Sequence, residues 1–210
     1  MEIDFSQLTA HQRYKLMSSL IVPRPIALVT TLGVSGVANA APFSMFNMLG
    51  EDPPIVMLSI NRLQDGRLKD TAANILARGE FVVHLCDEPM AAQMHACGEA
   101  LPPEVSELAR VGFHAVPSQT VAPPRIAEAP VAFECVLHEK LETESRLIFI
   151  GRVQWLSARK GLVDRATWRV RLQDYHPVGR FGASFYVSTR DRFAIDGTDR
   201  ESRSTPIDEI

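Results

Sequence analysis

Residues 62–71, RLQDGRLKDT, set Arg62, Arg67 and Lys69 in a short loop between a hydrophobic run, IVMLSIN (55–61), and the start of a helical pattern. A strand, a cationic loop and a helix N-terminus offer an anion two kinds of partner. One is side-chain charge; the other is the N–H groups of the first helical turn, which have no intrahelical acceptor. With the Thr71 hydroxyl, these residue types suit a phosphate. Asp70, read as the helix N-cap, works against this, because its carboxylate competes for the same N–H groups and repels an anion unless it turns away. A solvated loop whose cations do nothing specific is the alternative, and the sequence alone leaves both open.

A second stretch, NAAPFSMFNML (39–49), sets Asn39, Ser44 and Asn47 among small and aromatic residues. A flat ligand can approach such a backbone closely, with amide and hydroxyl groups ready for ring heteroatoms. The plainer reading is a set of turn contacts before EDPP (51–54), the better account of Asn47 taken alone. Asn74 follows Thr71 by three residues on the predicted helix, so both side chains can face one cavity. Among the six histidines, His176 in DYHPVGR is the one placed in a candidate active-site loop. His84 reads as barrel wall and His95, beside Met94 and Cys97, as packing. No HxxxH or paired-carboxylate pattern supports a metal site, and no GxGxxG follows a strand, so a dinucleotide-binding βαβ unit is not expected.

The elements that must position these residues follow from periodicity and breakers. Thr9 starts a short helix that Pro23 and Pro25 stop. IALVTTL (26–32) and VANAAPFS (37–44) flank the glycine-bounded turn GVSG as a hairpin. DTAANILARG (70–79) is a short helix ending at Arg78 and Gly79, and EFVVHLC (80–86) the next strand. Residues 88–111 alternate helix-like pieces around Pro102 and Pro103, and the proline-rich 117–130 must run extended or turn. PVAFECVLHEKLET (130–143) and SRLIFIGRVQWLSA (145–158) alternate as a long antiparallel hairpin. The tail, 174–193, is mostly loop, with one strand read at ASFYVS. These elements predict a mainly β, α+β fold, an antiparallel sheet closed or nearly closed into a barrel with flanking helices.

Length and composition set the limits. At 210 residues and 46% hydrophobic content the chain can bury a substantial core as one domain, 1–210, with its core at about 20–193. A net charge of −3 without like-charge blocks argues against nucleic acid as a partner. No apolar run is long enough to cross a bilayer and no signal-peptide pattern opens the chain, so a cytoplasmic protein without membrane partners is expected. Cys86, Cys97 and Cys135 are too widely spaced for a zinc knuckle and read as buried free thiols. Trp155 and Trp168 read as core or interface.

The segments PRPIALVTT, NAAPFSMFN, DPPIVMLSINR, KDTAANI, GEFVVHL and HPVGRFGASFYVSTRDRF resemble, in order and spacing, the flavin reductase-like family of FMN-binding split barrels, over roughly Pro23 to Phe193. The resemblance implies a homodimer with FMN at the interface, its phosphate on the loop 62–71 and its ring on 39–47. By position, Ser44 and Asn47 then meet the ribityl chain or ring, Arg62, Lys69 and Thr71 take the phosphate, and Asn74 lines the site. Arg180, Phe181 and Tyr186 belong to the closing segment. Asn39 is a further cofactor-binding candidate, and the backbone N–H groups around Ala40, Ala41 and Ser44 are the donors expected near N1 and O2 of the ring. His176, from its place in DYHPVGR, is read as steering the pyrophosphate or the nicotinamide ring. The implied activity is NAD(P)H:flavin oxidoreduction, in some members supplying a partner monooxygenase. A flavoredoxin-like electron carrier that keeps its FMN and a split-barrel binding protein without redox turnover are the alternatives.

Overall fold

The computed structural model describes residues 1–193. Residues 9–12 carry the signal for the first helix, α1 (Ala10–Leu20). The Thr9 hydroxyl accepts the Gln12 N–H while the Gln12 side chain accepts the Thr9 N–H. Helix α1 nevertheless buries none of its residues fully. It leads into a two-residue strand, β1 (Arg24–Pro25), and then the hairpin β2 (Ala27–Leu32) and β3 (Ala38–Phe43). Strands β4 (Phe46–Glu51) and β5 (Pro54–Asn61), helix α2 (Asp70–Arg78) and β6 (Glu80–Leu85) follow. The excursion holds α3 (Ala91–Ala96), α4 (Glu107–Val111), β7 (Ala115–Val116) and β8 (Arg125–Ile126). The long hairpin is β9 (Val131–Glu142) and β10 (Arg146–Ala158), and the chain continues through β11 (Val163–Asp164), β12 (Arg169–Val170), β13 (Gly179–Arg180) and β14 (Tyr186–Val187).

Seven strands form one antiparallel sheet in the order β3-β2-β6-β9-β10-β5-β4. Strands β3 and β4 are therefore its two edges, yet only Ser44 and Met45 separate them in sequence. The three Cα–Cα steps from Phe43 to Phe46 span at most ~11 Å, so the sheet must curl until its edges come close, and the Ser59 N–H, donating to the Met45 carbonyl at 2.8 Å, carries the β4–β5 pairing up to that junction. This is the expected barrel. Strand β4 is an addition: Asn47, expected to make turn contacts before EDPP, lies in a strand whose residues Asn47, Met48 and Leu49 are all exposed.

Strand β2 is buried on both faces, which explains its unbroken apolar run. Ala27 and Val29 point into the barrel with Phe81, Phe149 and Leu58, while Leu28 faces a second core beneath the excursion, with Met94, Leu108 and Phe113. Polar groups fasten that excursion. Glu134 on β9, fully buried, accepts the N–H groups of Gln119 at 2.9 Å and Thr120 at 2.7 Å and the Thr120 hydroxyl at 2.8 Å, with Arg125 at 3.4 Å. His84, also fully buried, donates from Nδ1 to the Leu28 carbonyl at 3.0 Å and accepts the Ile126 N–H at Nε2, again 3.0 Å. Burial holds its pKa down at about 4. The barrel-wall role expected for His84 is what the structure shows.

The three cysteines are buried free thiols, and burial raises Cys97 and Cys135 to about 12, so both rest as thiols. Trp155 and Trp168 are 46% and 74% exposed, which removes the core half of their expected roles. No described helix is long and apolar enough to cross a membrane.

Candidate functional site

Helix α2 begins one residue earlier than its sequence suggests: Lys69, not Asp70, is the N-cap, and it makes no side-chain capping bond. Asp70 is the first helical residue and exposed. The conflict foreseen between a capping carboxylate and an anion therefore does not arise, and the first-turn N–H groups keep no side-chain acceptor.

Of the loop cations, Arg62 is ion-paired with Glu142 and also donates to the Gly66 carbonyl, and Arg67 is held by Asp65 at 2.7 Å. Lys69 has no carboxylate partner among the described residues. Its Nζ lies 5.9 Å from the centre of the Phe43 ring, within cation–π range. Burial, and then the like charge of Arg146, push its pKa below the ordinary lysine value. Arg146 on β10 is brought there by register, opposite Asn61 on β5, and donates to the Ser59 carbonyl at 3.3 Å. It too lacks a carboxylate partner among the described residues. Sequence reasoning missed Arg146, and no local signal marks it.

Thr71 is 1% exposed and faces inward. Its hydroxyl accepts from Asn39 Nδ2 at 2.9 Å, and Asn74 Nδ2 donates to Thr31 Oγ1 at 3.0 Å. Asn39, Thr71 and Asn74 thus form one network with Thr31 that seats the first turns of α2 on the barrel, while Lys69 and Arg146 form a separate cationic pair.

The segment 39–47 divides. The Ala40 N–H is taken by the buried carboxylate of Glu107 at 2.9 Å, so it is not the free ring donor expected. Ala41 pairs with Val29 within the sheet. Asn47 is exposed on β4, and its Oδ1 accepts the Met48 N–H, a contact to its own backbone within a strand and not the turn expected. Ser44 lies at the seam and accepts from Arg24 Nε at 3.4 Å.

Ser44, Pro42 and Phe43 line a cavity of about 670 Å³ roofed by α1 and the tail. Its other walls include Arg24, Arg180, Tyr14 and Tyr186. Arg180 stacks over the Tyr186 ring at 4.8 Å, and the Tyr186 hydroxyl bonds His95 Nδ1 at 2.8 Å. His95 is exposed at the cavity and not core packing, a correction to its expected role. Phe181 is 49% exposed and does not line the cavity. His176 lines a different hollow, beside Arg159, Lys160 and Arg171. Among the described residues no group of His, Cys, Asp and Glu could hold a metal.

A closed antiparallel sheet whose seam opens into a basic, aromatic-walled cavity, with an uncapped helix start beside it, defines a split-barrel protein. A family model described as "Flavin reductase like domain" matches residues 17–175. The chain is 38% identical to the Bacillus subtilis protein YwrF over 195 residues, 90% of this chain and 95% of that one. Among solved structures, the Pseudomonas fluorescens 2-nitrobenzoate 2-nitroreductase NbaA superposes with a TM-score of 0.85 at 39% identity, covering 93% of this chain and 95% of that one. Nitrilotriacetate monooxygenase component B from Bacillus cereus gives 0.87 at 31%, covering 93% and 98%. The chain belongs to the flavin reductase-like family.

Proposed function

We propose that the protein is an FMN-binding oxidoreductase that passes a hydride from NAD(P)H to flavin, working as a homodimer. The observation that carries this reading is the Lys69–Arg146 pair at the uncapped start of α2. Two partly buried cations without a carboxylate partner, beside free helix N–H groups, are costly unless an anion joins them. A phosphate fits that donor set, with Lys69 as a point charge and Arg146 anchored on Ser59.

Phe43 links the two halves of the site, since Lys69 sits against its ring and the same residue lines the larger cavity. A flavin with its phosphate at α2 would run along β3 toward Ser44, its ring between Phe43 and Tyr186. When bound, flavin supplies the redox chemistry by accepting a hydride and giving its electrons onward. The chain's residues then have three tasks: to neutralise the phosphate, to hold the ring against the seam, and to limit water around it by α1 and residues 179–187. No acid or base is required of the protein.

The experiment is anaerobic titration of the purified protein with FMN and then with NADH or NADPH, followed in the visible spectrum. Bleaching of bound or added flavin supports the reading, and a protein that stays colourless with FMN overturns it. Tight FMN retention with slow bleaching would instead mark the electron carrier. A second reading is favoured by the likeness to the 2-nitrobenzoate reductase. The roofed cavity is large enough for a small aromatic beside a ring, so the protein would keep its flavin and reduce an aromatic substrate directly. Supply of reduced flavin to a monooxygenase remains a use of the same chemistry, in line with the likeness to a monooxygenase component B. Light scattering of the protein in solution tests the homodimer.

A further inference from the structure

Arg24 is 8% exposed, yet no carboxylate lies within ion-pairing distance of it among the described residues. Its neighbour across the β1–β13 pair is Arg180, directly opposite in register and equally without a carboxylate partner. Like charges placed opposite each other on a sheet oppose folding, and a buried guanidinium needs compensation. Part of it is visible. Arg24 Nη1 donates to the Ser18 carbonyl and, at 2.7 Å, to the Ile21 carbonyl at the negative end of α1, and Nε reaches Ser44. That leaves Nη2 without an acceptor among the described residues, and Arg24 is one of the walls of the larger cavity. The acid in that wall, Glu99, is held by Arg110 at 2.9 Å. Burial lowers the Arg24 pKa, with Tyr14 opposing the shift and Arg180 adding to it.

We propose that Arg24 and Arg180 form an oxyanion seat on the wall of this cavity, and that the substrate meeting the bound flavin places a carboxylate or phosphate there. The inference rests on the flavin reading of the cavity. It gives the two cation pairs separate work: Lys69–Arg146 for the flavin phosphate, Arg24–Arg180 for the second substrate. The aromatic walls, Tyr14, Phe43 and Tyr186, suit a flat body attached to that anion.

The test is calorimetric titration of FMN-loaded protein with benzoate, its neutral isostere benzamide, and adenosine 5′-monophosphate. At least one anion is expected to bind ten-fold or more tightly than benzamide. Benzoate winning identifies an aromatic acid as the source of the oxyanion, and the nucleotide winning identifies a nucleotide phosphate. Arg180→Gln should remove at least ten-fold of that affinity and Arg180→Lys less, with the preference for FMN over riboflavin unchanged in both. Equal binding of benzamide, absence of anion binding, or an Arg180→Gln variant that loses FMN but not riboflavin would each overturn the proposal. The last outcome would give the pair to the flavin phosphate, an arrangement made concrete by a smaller hollow of about 240 Å³ that Arg24 and Arg146 share. If the protein takes up no flavin, that reading fails, and the same titrations on flavin-free protein still report on the arginine pair.

Discussion

Lys69 rests against the face of Phe43, its ammonium 5.9 Å from the ring centre, and Arg146 is the charge it feels most. A lysine held this way has its stem and head fixed by the barrel rather than by an acid. Lys69→Ala is expected to weaken FMN by about 1–3 kcal/mol while leaving riboflavin nearly unaffected, because the charge-assisted contact to the phosphate is lost. Fluorescence titration with the two flavins measures the difference, and equal losses would place the phosphate elsewhere.

Arg62 is the contrasting case. Its guanidinium is already engaged by Glu142, partly exposed to solvent. Arg62→Ala should therefore change FMN affinity by less than two-fold and stability by no more than about 1 kcal/mol. A large loss of FMN would mean that the ion pair opens when flavin binds.

Glu134 holds the proline-rich excursion against β9 through three backbone or hydroxyl donors and Arg125. Glu134→Ala leaves those donors and the arginine without their acceptor, and should cost about 3–5 kcal/mol. Thermal melting gives the magnitude. Limited proteolysis should show new cleavage within 117–130, and an intact excursion would contradict the assignment.

His84 is folded as the neutral Nδ1–H form, with a pKa lowered from 6.5 to about 4. Because the folded value is depressed, the unfolded chain binds more protons between those two values. Stability is thus full above pH ~6.5 and falls as pH drops toward 4, by up to about 3 kcal/mol from this group. Protonation also puts a second N–H against the Ile126 N–H that Nε2 now accepts. His84→Gln should flatten the pH dependence of the melting temperature across that window, even with a lower starting stability.

Gly151 lies where β10 crosses the barrel interior. A methyl group there would overlap the ring of Phe81, which is fully buried, and crowd Cys135. Gly151→Ala should destabilise by about 1–3 kcal/mol through forced repacking. Denaturant unfolding checks it, and a neutral result would show that Phe81 can move.

Much of this was legible in the chain. The alternation at the start of β10, the continuous apolar run of β2 and the Arg78–Gly79 stop of α2 each report a local condition, burial on one face, burial on both, or a left-handed helix end. The family motifs carried the cofactor expectation. What escaped notice depends on partners distant in sequence. Arg146 reaches Lys69 only because β10 pairs with β5, and the Ala40 N–H is lost to Glu107 only because α4 packs on the β3 edge. Strand β4 was hidden because Ser44 and Asn47 ahead of EDPP suggest turn contacts, and only pairing with β5 makes a strand of Phe46–Glu51. Asp70 missed the cap position by a single residue, enough to reverse its effect on an anion.

The two-residue passage Ser44–Met45 ties both rims of the sheet together at the mouth of the cavity. That mouth cannot gape without tearing the barrel, so its floor is preset before any guest arrives. Adjustment to guests of different size must fall to the roof: the loosely anchored α1 and the short 179–187 flap. Diversity of substrate within such a scaffold would be written in those two pieces, with the floor held constant.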